Sequence, residues 1–502
     1  MRGLPPRAPG LLLAALVGVQ IGLAAWFLGN RLPGTAAALW GLPLDDAWIH
    51  LVYGRGLLES GLPEYNPGQV ETGFTSPLQA LVAAVAVAIS RLGVPVGLAL
   101  KLLTLACTLP ATLLAARLGE RLGGAAAGLA AASLLAFSPT WAFASVSGME
   151  VGLCGSLILA AFLAREQDRP LAAGLALALA VLSRPEAALL APLLALGLGA
   201  RGVARLLLPP LLLGLAWVGF NLAVTGLPLP ATFYVKQGGL DAGGLGTAAQ
   251  ILRSAWPVFG SGVGLLALGI AALAGARRLG LLLAGPLWLA AVAVGRSIGV
   301  DDQYYYFLRY FLPVEPILMV GVGLGLARAA QHRLGLLAWL ALAVVLVSDL
   351  PELGRRRALY AWNCQNIEEM QGGAALFLAR NGAAGERVGS VDAGRIRYSS
   401  GLPVLDVIGL NNHRITRSAE QRPDLWTDPA RVADWMDREG LQWLYLFPYD
   451  APFTYAERDP GRFFEIAWRF EADPYTVAGP SQSLVWLLRR LPPPPPDPTP
   501  EG

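Results

Sequence analysis

Apolar runs separated by short polar connections fill the first 350 positions of the chain. They fall near 9–29, 97–116, 122–141, 149–164, 170–183, 186–200, 203–222, 257–275, 279–295, 310–327 and 333–349. A bilayer core of roughly 30 Å is crossed by about 20 apolar residues in a helix, so each run reads as a span and the chain as about 11 transmembrane helices. Arginine placement orients them. Arg2 and Arg7 precede the first run, and Arg117/Arg121, Arg165/Arg169, Arg201/Arg205, Arg277/Arg278 and Arg328/Arg333 fall at every second short connection. Connections rich in Lys and Arg stay in the cytoplasm, which puts the N-terminus there too. A further apolar segment, 78–92, would break this alternation if it crossed, so it reads as an interfacial or re-entrant helix. Segments 30–96, 141–149, 223–256 and everything after about 350 then lie on the outer side.

Beyond 350 the pattern changes. A helix is expected at 360–380, short β-type segments at 387–392, 402–410, 442–447 and 483–490, and another helix near 428–439. The expected organisation is a polytopic α-helical membrane unit over 1–350, an extracytoplasmic α/β domain over 351–490, and a proline-rich disordered tail over 491–502.

Composition agrees with the periodicity. The 502 residues are 55% hydrophobic and 15% charged, and the mean hydropathy is +0.51, too apolar for an ordinary soluble domain. A net charge of +3, with no basic and aromatic interleaving, argues against a nucleic-acid partner. Cys107, Cys154 and Cys364 form no disulfide framework.

Candidate chemistry lies in the polar outer segments. "PLDDAWIHLVYGRGLLESG" reads as a helix with Asp45 at its N-cap and Gly61 as its terminator. Adjacent carboxylates at a helix start point about 100° apart, so Asp45 and Asp46 divide into a catalytic and a structural member. His50 stands four residues after Asp46 and could face it. Asn66, Glu71 and Thr75 sit in a Gly/Pro-rich turn before 78–92. Arg184, Arg309 and Lys236 are the cations at the outer edge that could meet a phosphate, with Glu150 or Glu186 as neutralising partners of Arg184. Tyr310 and its neighbouring tyrosines could instead form an aromatic belt around Arg309. His413 reads as a surface residue, and Asp392 and Asp406, at strand ends, as turn formers.

These segments resemble the GT-C glycosyltransferases that use a lipid-phosphate-linked sugar, and within them the arabinofuranosyltransferases of bacterial cell-wall arabinan. The likeness is carried by Asp45, Asp46, Tyr53, Arg55 and "NPGQVETGFTSPL" from Asn66 to Leu78, where Thr72 is an extra residue and Phe74 stands for Tyr. "SGMEVGL" (147–153), "LSRPEAALL" (182–190), "RYFLPVEPIL" (309–318) and "VGSVDAGRIRYSSGLPVLDVIGLNN" (388–412) continue it in order. The resemblance implies transfer of a monosaccharide from a polyprenyl-phosphate donor to a cell-envelope glycan, lipid or protein acceptor, usually with inversion, at the outer face of the cytoplasmic membrane. It makes a first-loop aspartate the base, with Asp45 favoured over Asp46. Arg184, Arg309, Lys236 and Tyr310 would hold the donor phosphate, and His50, Tyr53, Asn66, Glu71, Thr75 and Glu150 would position substrate. No cofactor is expected, and no metal site is assigned, although some members of the superfamily use a divalent ion. A transporter or flippase of lipid-linked sugars, or a non-catalytic envelope scaffold, is the alternative; the near absence of charge within the spans favours surface chemistry over transport.

Overall fold

The computed structural model describes residues 8–32, 34–235, 276–295, 305–331, 335–417, 426–455 and 460–492. Among these, five helices are long and apolar enough to cross a membrane: Gly10–Leu28, Val96–Gly123, Ala200–Thr225, Leu312–Ala330 and the run Gly335–Asn381. A sixth results if Ala125–Phe137 and Pro139–Ser145, bent by 66°, form one span. Pro139 cannot donate to the preceding turn, and the Ser138 hydroxyl accepts from the Trp141 N–H at 3.1 Å to restart the helix. Four expected runs are helical but shorter as apolar segments: Val151–Glu166, Pro170–Ser183, Pro185–Ala195 and Leu283–Val292. The run at 257–275 lies outside the described residues.

Lys101 and Glu315 are buried ionisable residues inside candidate spans, and both are satisfied by protein. Lys101 is fully buried and donates to the Ala38 carbonyl at 2.6 Å. Glu315 accepts from the Ser138 and Thr140 hydroxyls at the bend between the paired helices.

The helix Asp45–Glu59 packs on Pro77–Ser90, the segment read as interfacial. Gly54 permits this contact, since a Cβ there would come within 2.6 Å of the Ala83 backbone. Between the two helices, β1 (Glu64–Asn66) and β2 (Gln69–Val70) form a small antiparallel hairpin. The expected N-cap is corrected: Leu44 occupies that position without a side-chain cap, and Asp45 is the first helical residue.

The expected boundary at 350 falls inside a continuous helix, Gly335–Glu369, which carries the chain onward to Gln371–Asn381. A five-stranded sheet follows, built from β3 (Val388–Ser390), β4 (Val404–Asp406), β5 (Trp443–Leu446), β6 (Phe464–Glu471) and β7 (Leu484–Arg490), in the order β4-β3-β5-β7-β6. β3 runs parallel to β4 and β5, while β7 pairs antiparallel with β5 and β6. β6 is an edge strand absent from the expected segments, although Phe464, Ile466, Trp468 and Phe470 alternate with Glu465, Ala467, Arg469 and Glu471 along it. The chain passes from β4 across β3 to β5, so a crevice opens at the carboxyl ends of these parallel strands. Asp392 lies there, two residues past β3.

Candidate active site

The 30–96 segment is tied to the sheet region by buried polar contacts over more than 300 positions of sequence. The Tyr53 hydroxyl donates to Asn411 Oδ1 at 2.9 Å and accepts from the Gly73 N–H at 3.1 Å. Tyr65 donates to the Ala393 carbonyl at 2.7 Å. Asn66 bonds both backbone groups of Val404, at 2.9 and 3.0 Å. Glu71, itself buried, accepts from the ring of His413 at 3.0 Å, so His413 is a partner of the turn and not a plain surface residue.

Asp45 belongs to the same brace. Its two carboxylate oxygens accept from the backbone N–H groups of Gly394 and Arg395, each at 2.7 Å. Gly394 allows the approach, because a Cβ there would meet the Asp45 carbonyl at 2.3 Å. Burial, then the neighbouring Asp392 carboxylate, pushes Asp45 well above the usual carboxylate range, against the pull of the two N–H donors.

Asp46 points elsewhere. Its carboxylate pairs with Arg309, which is only 3% exposed. Two non-glycine residues at positive φ, Tyr306 and Leu308 (44° and 60°), turn the backbone immediately before Arg309. Such strain concentrates where a side chain must be aimed. The Tyr310 ring lies between two guanidiniums, with Arg184 Cζ at 5.0 Å and Arg309 Cζ at 4.9 Å from its centroid. Arg184 donates to Glu150 at 2.6 Å and to Glu186 at 3.2 Å. The second Glu150 oxygen is 3.8 Å from His50 Nε2 and makes no hydrogen bond among the described residues.

Two cavities meet at this pair. A helix-side cavity of about 350 Å³ is lined by Asp46, His50, Thr75, Glu150, Arg184, Arg309 and Tyr310, with Phe74, Phe233, Ala291 and Val292 among its apolar walls. A sheet-side cavity of about 500 Å³ is lined by Asp45, Asp46, Arg309, Tyr310, Gln371, Asp392, Trp426 and Tyr475, among others. Asp46, Arg309, Tyr310 and Leu410 line both.

The expected site residues therefore divide. Asp46, His50, Thr75, Glu150, Arg184, Arg309 and Tyr310 come together on the helix-side cavity. Tyr53, Asn66 and Glu71 line neither cavity and brace the turn against the sheet region. Lys236 lies outside the described residues. Asp392 and Gln371 join the sheet-side wall without having been expected there; the position of Asp392 just past a parallel strand was the available signal. Among the described residues, no three His, Cys, Asp or Glu side chains group to hold a metal ion.

Solved structures share this architecture along almost the whole chain. ArnT from Cupriavidus metallidurans, bound to undecaprenyl phosphate, aligns with a TM-score of 0.58 at 14% identity, over 96% of this chain and 98% of its own. The apo oligosaccharyltransferase of Archaeoglobus fulgidus aligns with a TM-score of 0.63 at 12% identity, over 93% of this chain and 74% of its own. The chain has the GT-C fold. A second structure of the Archaeoglobus fulgidus GT-C protein, AglB in complex with an inhibitory peptide and a dolichol-phosphate, aligns with a TM-score of 0.57 at 12% identity, over 95% of this chain and 74% of its own. A family model described as a domain of unknown function, DUF8728, matches residues 364–485 of this chain. No curated protein matches it.

Proposed function

We propose that the chain is an integral-membrane glycosyltransferase that moves a monosaccharide from a polyprenyl-phosphate donor to a cell-envelope acceptor on the extracytoplasmic face. The observation that carries this reading is the Asp46–Arg309 pair at the junction of the two cavities. The relatives of the same fold that bind undecaprenyl phosphate and dolichol-phosphate support a lipid-phosphate donor.

The donor occupies the helix-side cavity. Its phosphate meets Arg184 and Arg309, whose charges gain strength where water is excluded. The apolar walls take the first isoprene units, and Glu150, His50 and Thr75 receive the sugar hydroxyls. Phosphate oxygens compete with Asp46 for Arg309, so donor binding releases the carboxylate that the acceptor needs. Asp46 then takes the acceptor hydroxyl proton as that oxygen attacks the anomeric carbon. The anomeric C–O bond breaks, its electron pair leaves with the lipid phosphate, and a single displacement inverts the centre. This arrangement moves the base from Asp45, whose oxygens are held by backbone N–H groups, to Asp46. Asp45, Tyr53, Asn66 and Glu71 act as positioning residues that hold the two cavities in register.

A transporter of the same lipid would move its donor intact. Purified protein in liposomes, supplied with a radiolabelled polyprenyl-phosphate sugar and envelope extract, separates the readings: sugar appearing on a new acceptor supports transfer, and translocation of unchanged donor overturns it.

A further inference from the structure

The two cavities differ in charge in a way that specifies the acceptor. The helix-side cavity holds two buried arginines. Among the described residues, the sheet-side lining has four carboxylates, Asp45, Asp46, Asp392 and Asp450, and a single cation, Arg309. Among the described lining residues, that one cation is outnumbered by carboxylates, which disfavours an incoming phosphate or carboxylate.

The carboxylates are largely committed as well, which argues against a cationic guest. Asp45 is held by two N–H donors, Asp46 by Arg309, and Asp392 accepts from the Gln371 side-chain amide. Asp450 stands at the exposed rim. Two buried polar atoms of this wall lack hydrogen-bond partners among the described residues, Arg309 Nε and Gln371 Oε1. Gln371 is 1% exposed, and its Oε1 has no hydrogen-bond partner among the described residues although it lines the cavity. A buried acceptor without a donor is destabilising, so the site is complete only when a ligand supplies an O–H or N–H. Trp426 and Tyr475 add aromatic surface to the same cavity, the usual complement of a sugar's C–H face.

We propose that the sheet-side cavity selects an uncharged, polyhydroxylated acceptor, a glycan, over phosphorylated or other charged acceptors, with Gln371 Oε1 and Asp392 receiving hydrogen bonds from neighbouring hydroxyls. This rests on the transferase reading only for the word acceptor; the binding selectivity stands separately.

The full chain in lipid nanodiscs is titrated with neutral gluco-, manno- and arabino-oligosaccharides and with their phosphorylated and amino-sugar counterparts. Polyprenyl phosphate is titrated in parallel. At least one neutral oligosaccharide binds about tenfold or more tighter than its charged counterparts, since a charge moved into an unmatched cavity loses its hydration. Gln371→Met and, separately, Asp392→Asn weaken that binding about fivefold or more while leaving polyprenyl phosphate affinity within about twofold. Melting temperatures verify that each variant is folded, and Trp426→Ala replaces any that is not. Equal or tighter binding of the charged sugars, no binding by any sugar, or folded variants with unchanged binding overturns the proposal. Loss of polyprenyl phosphate binding with neutral-sugar selectivity intact would count against the transferase reading alone.

Discussion

Arg309 closes on Asp46 across 263 positions of chain, joining the residue after a strained turn to the second residue of an outer-segment helix. Asp45, one position earlier and about 100° around the helix, holds the backbone of Gly394 and Arg395. Two adjacent aspartates are thereby given different work by helix geometry alone.

The brace predicts a stability defect. Asp45→Asn keeps one oxygen but turns an amide N–H₂ toward a backbone donor, so folding stability should fall by about 1–3 kcal/mol. Tyr53→Phe, which strands Asn411 and the Gly73 N–H, should cost a similar amount. Thermal melts of purified protein check both, and unchanged melting temperatures would contradict the assigned roles.

Arg184 gives a separable pair of effects. Arg184→Gln leaves the buried Glu150 carboxylate without its cation, a loss of about 3–5 kcal/mol when one partner of a buried pair is removed. Adding Glu150→Gln should restore most of the melting temperature. Polyprenyl phosphate binding should stay weak in both variants, because the cation for the phosphate is still missing.

Stability should also depend on pH in a definite direction. Burial, with Asp46 and Asp406 nearby, lifts Asp392 to about 7, against the Gln371 hydrogen bond, and burial lifts Asp406 to about 6 against donors from Asn411 and its neighbours. The folded state therefore holds these protons more tightly than the unfolded chain, whose aspartates titrate near about 4. Their stabilising contribution is fully present below about pH 4 and is lost as pH rises through about 7. Asp392→Asn should flatten the upper part of that decline, read as melting temperature from about pH 4 to about pH 8.

Much of the fold is legible in the sequence because it is set by local pattern. Apolar runs place the helices, and the segments at 387–392, 402–410, 442–447 and 483–490 contain β3, β4, β5 and β7. Span lengths are less legible, since apolar composition does not reveal where Pro139 bends a helix or where Gly335–Glu369 runs on past 350. The site divides along the same line. Asp46, Arg184 and Arg309 are visible as charges at the ends of apolar segments. The assignment of Asp45 to a brace depends on contacts 349 and 350 positions away, which no local spacing encodes; Asp392 is signalled only by its place just past β3, and Gln371 by nothing in its own segment.

The division of labour between the two aspartates is tested most directly by sugar transfer from a synthetic short-chain polyprenyl-phosphate donor, measured for Asp46→Asn and Asp45→Asn in folded protein. Asp46→Asn should lower transfer by about 10²–10⁴-fold in protein that remains folded, as expected for loss of a general base, together with a fall in melting temperature because the buried Arg309 loses its carboxylate. Asp45→Asn should lower the melting temperature and retain far more transfer. Full activity in Asp46→Asn, or loss of chemistry in a stably folded Asp45→Asn alone, would contradict the assignment.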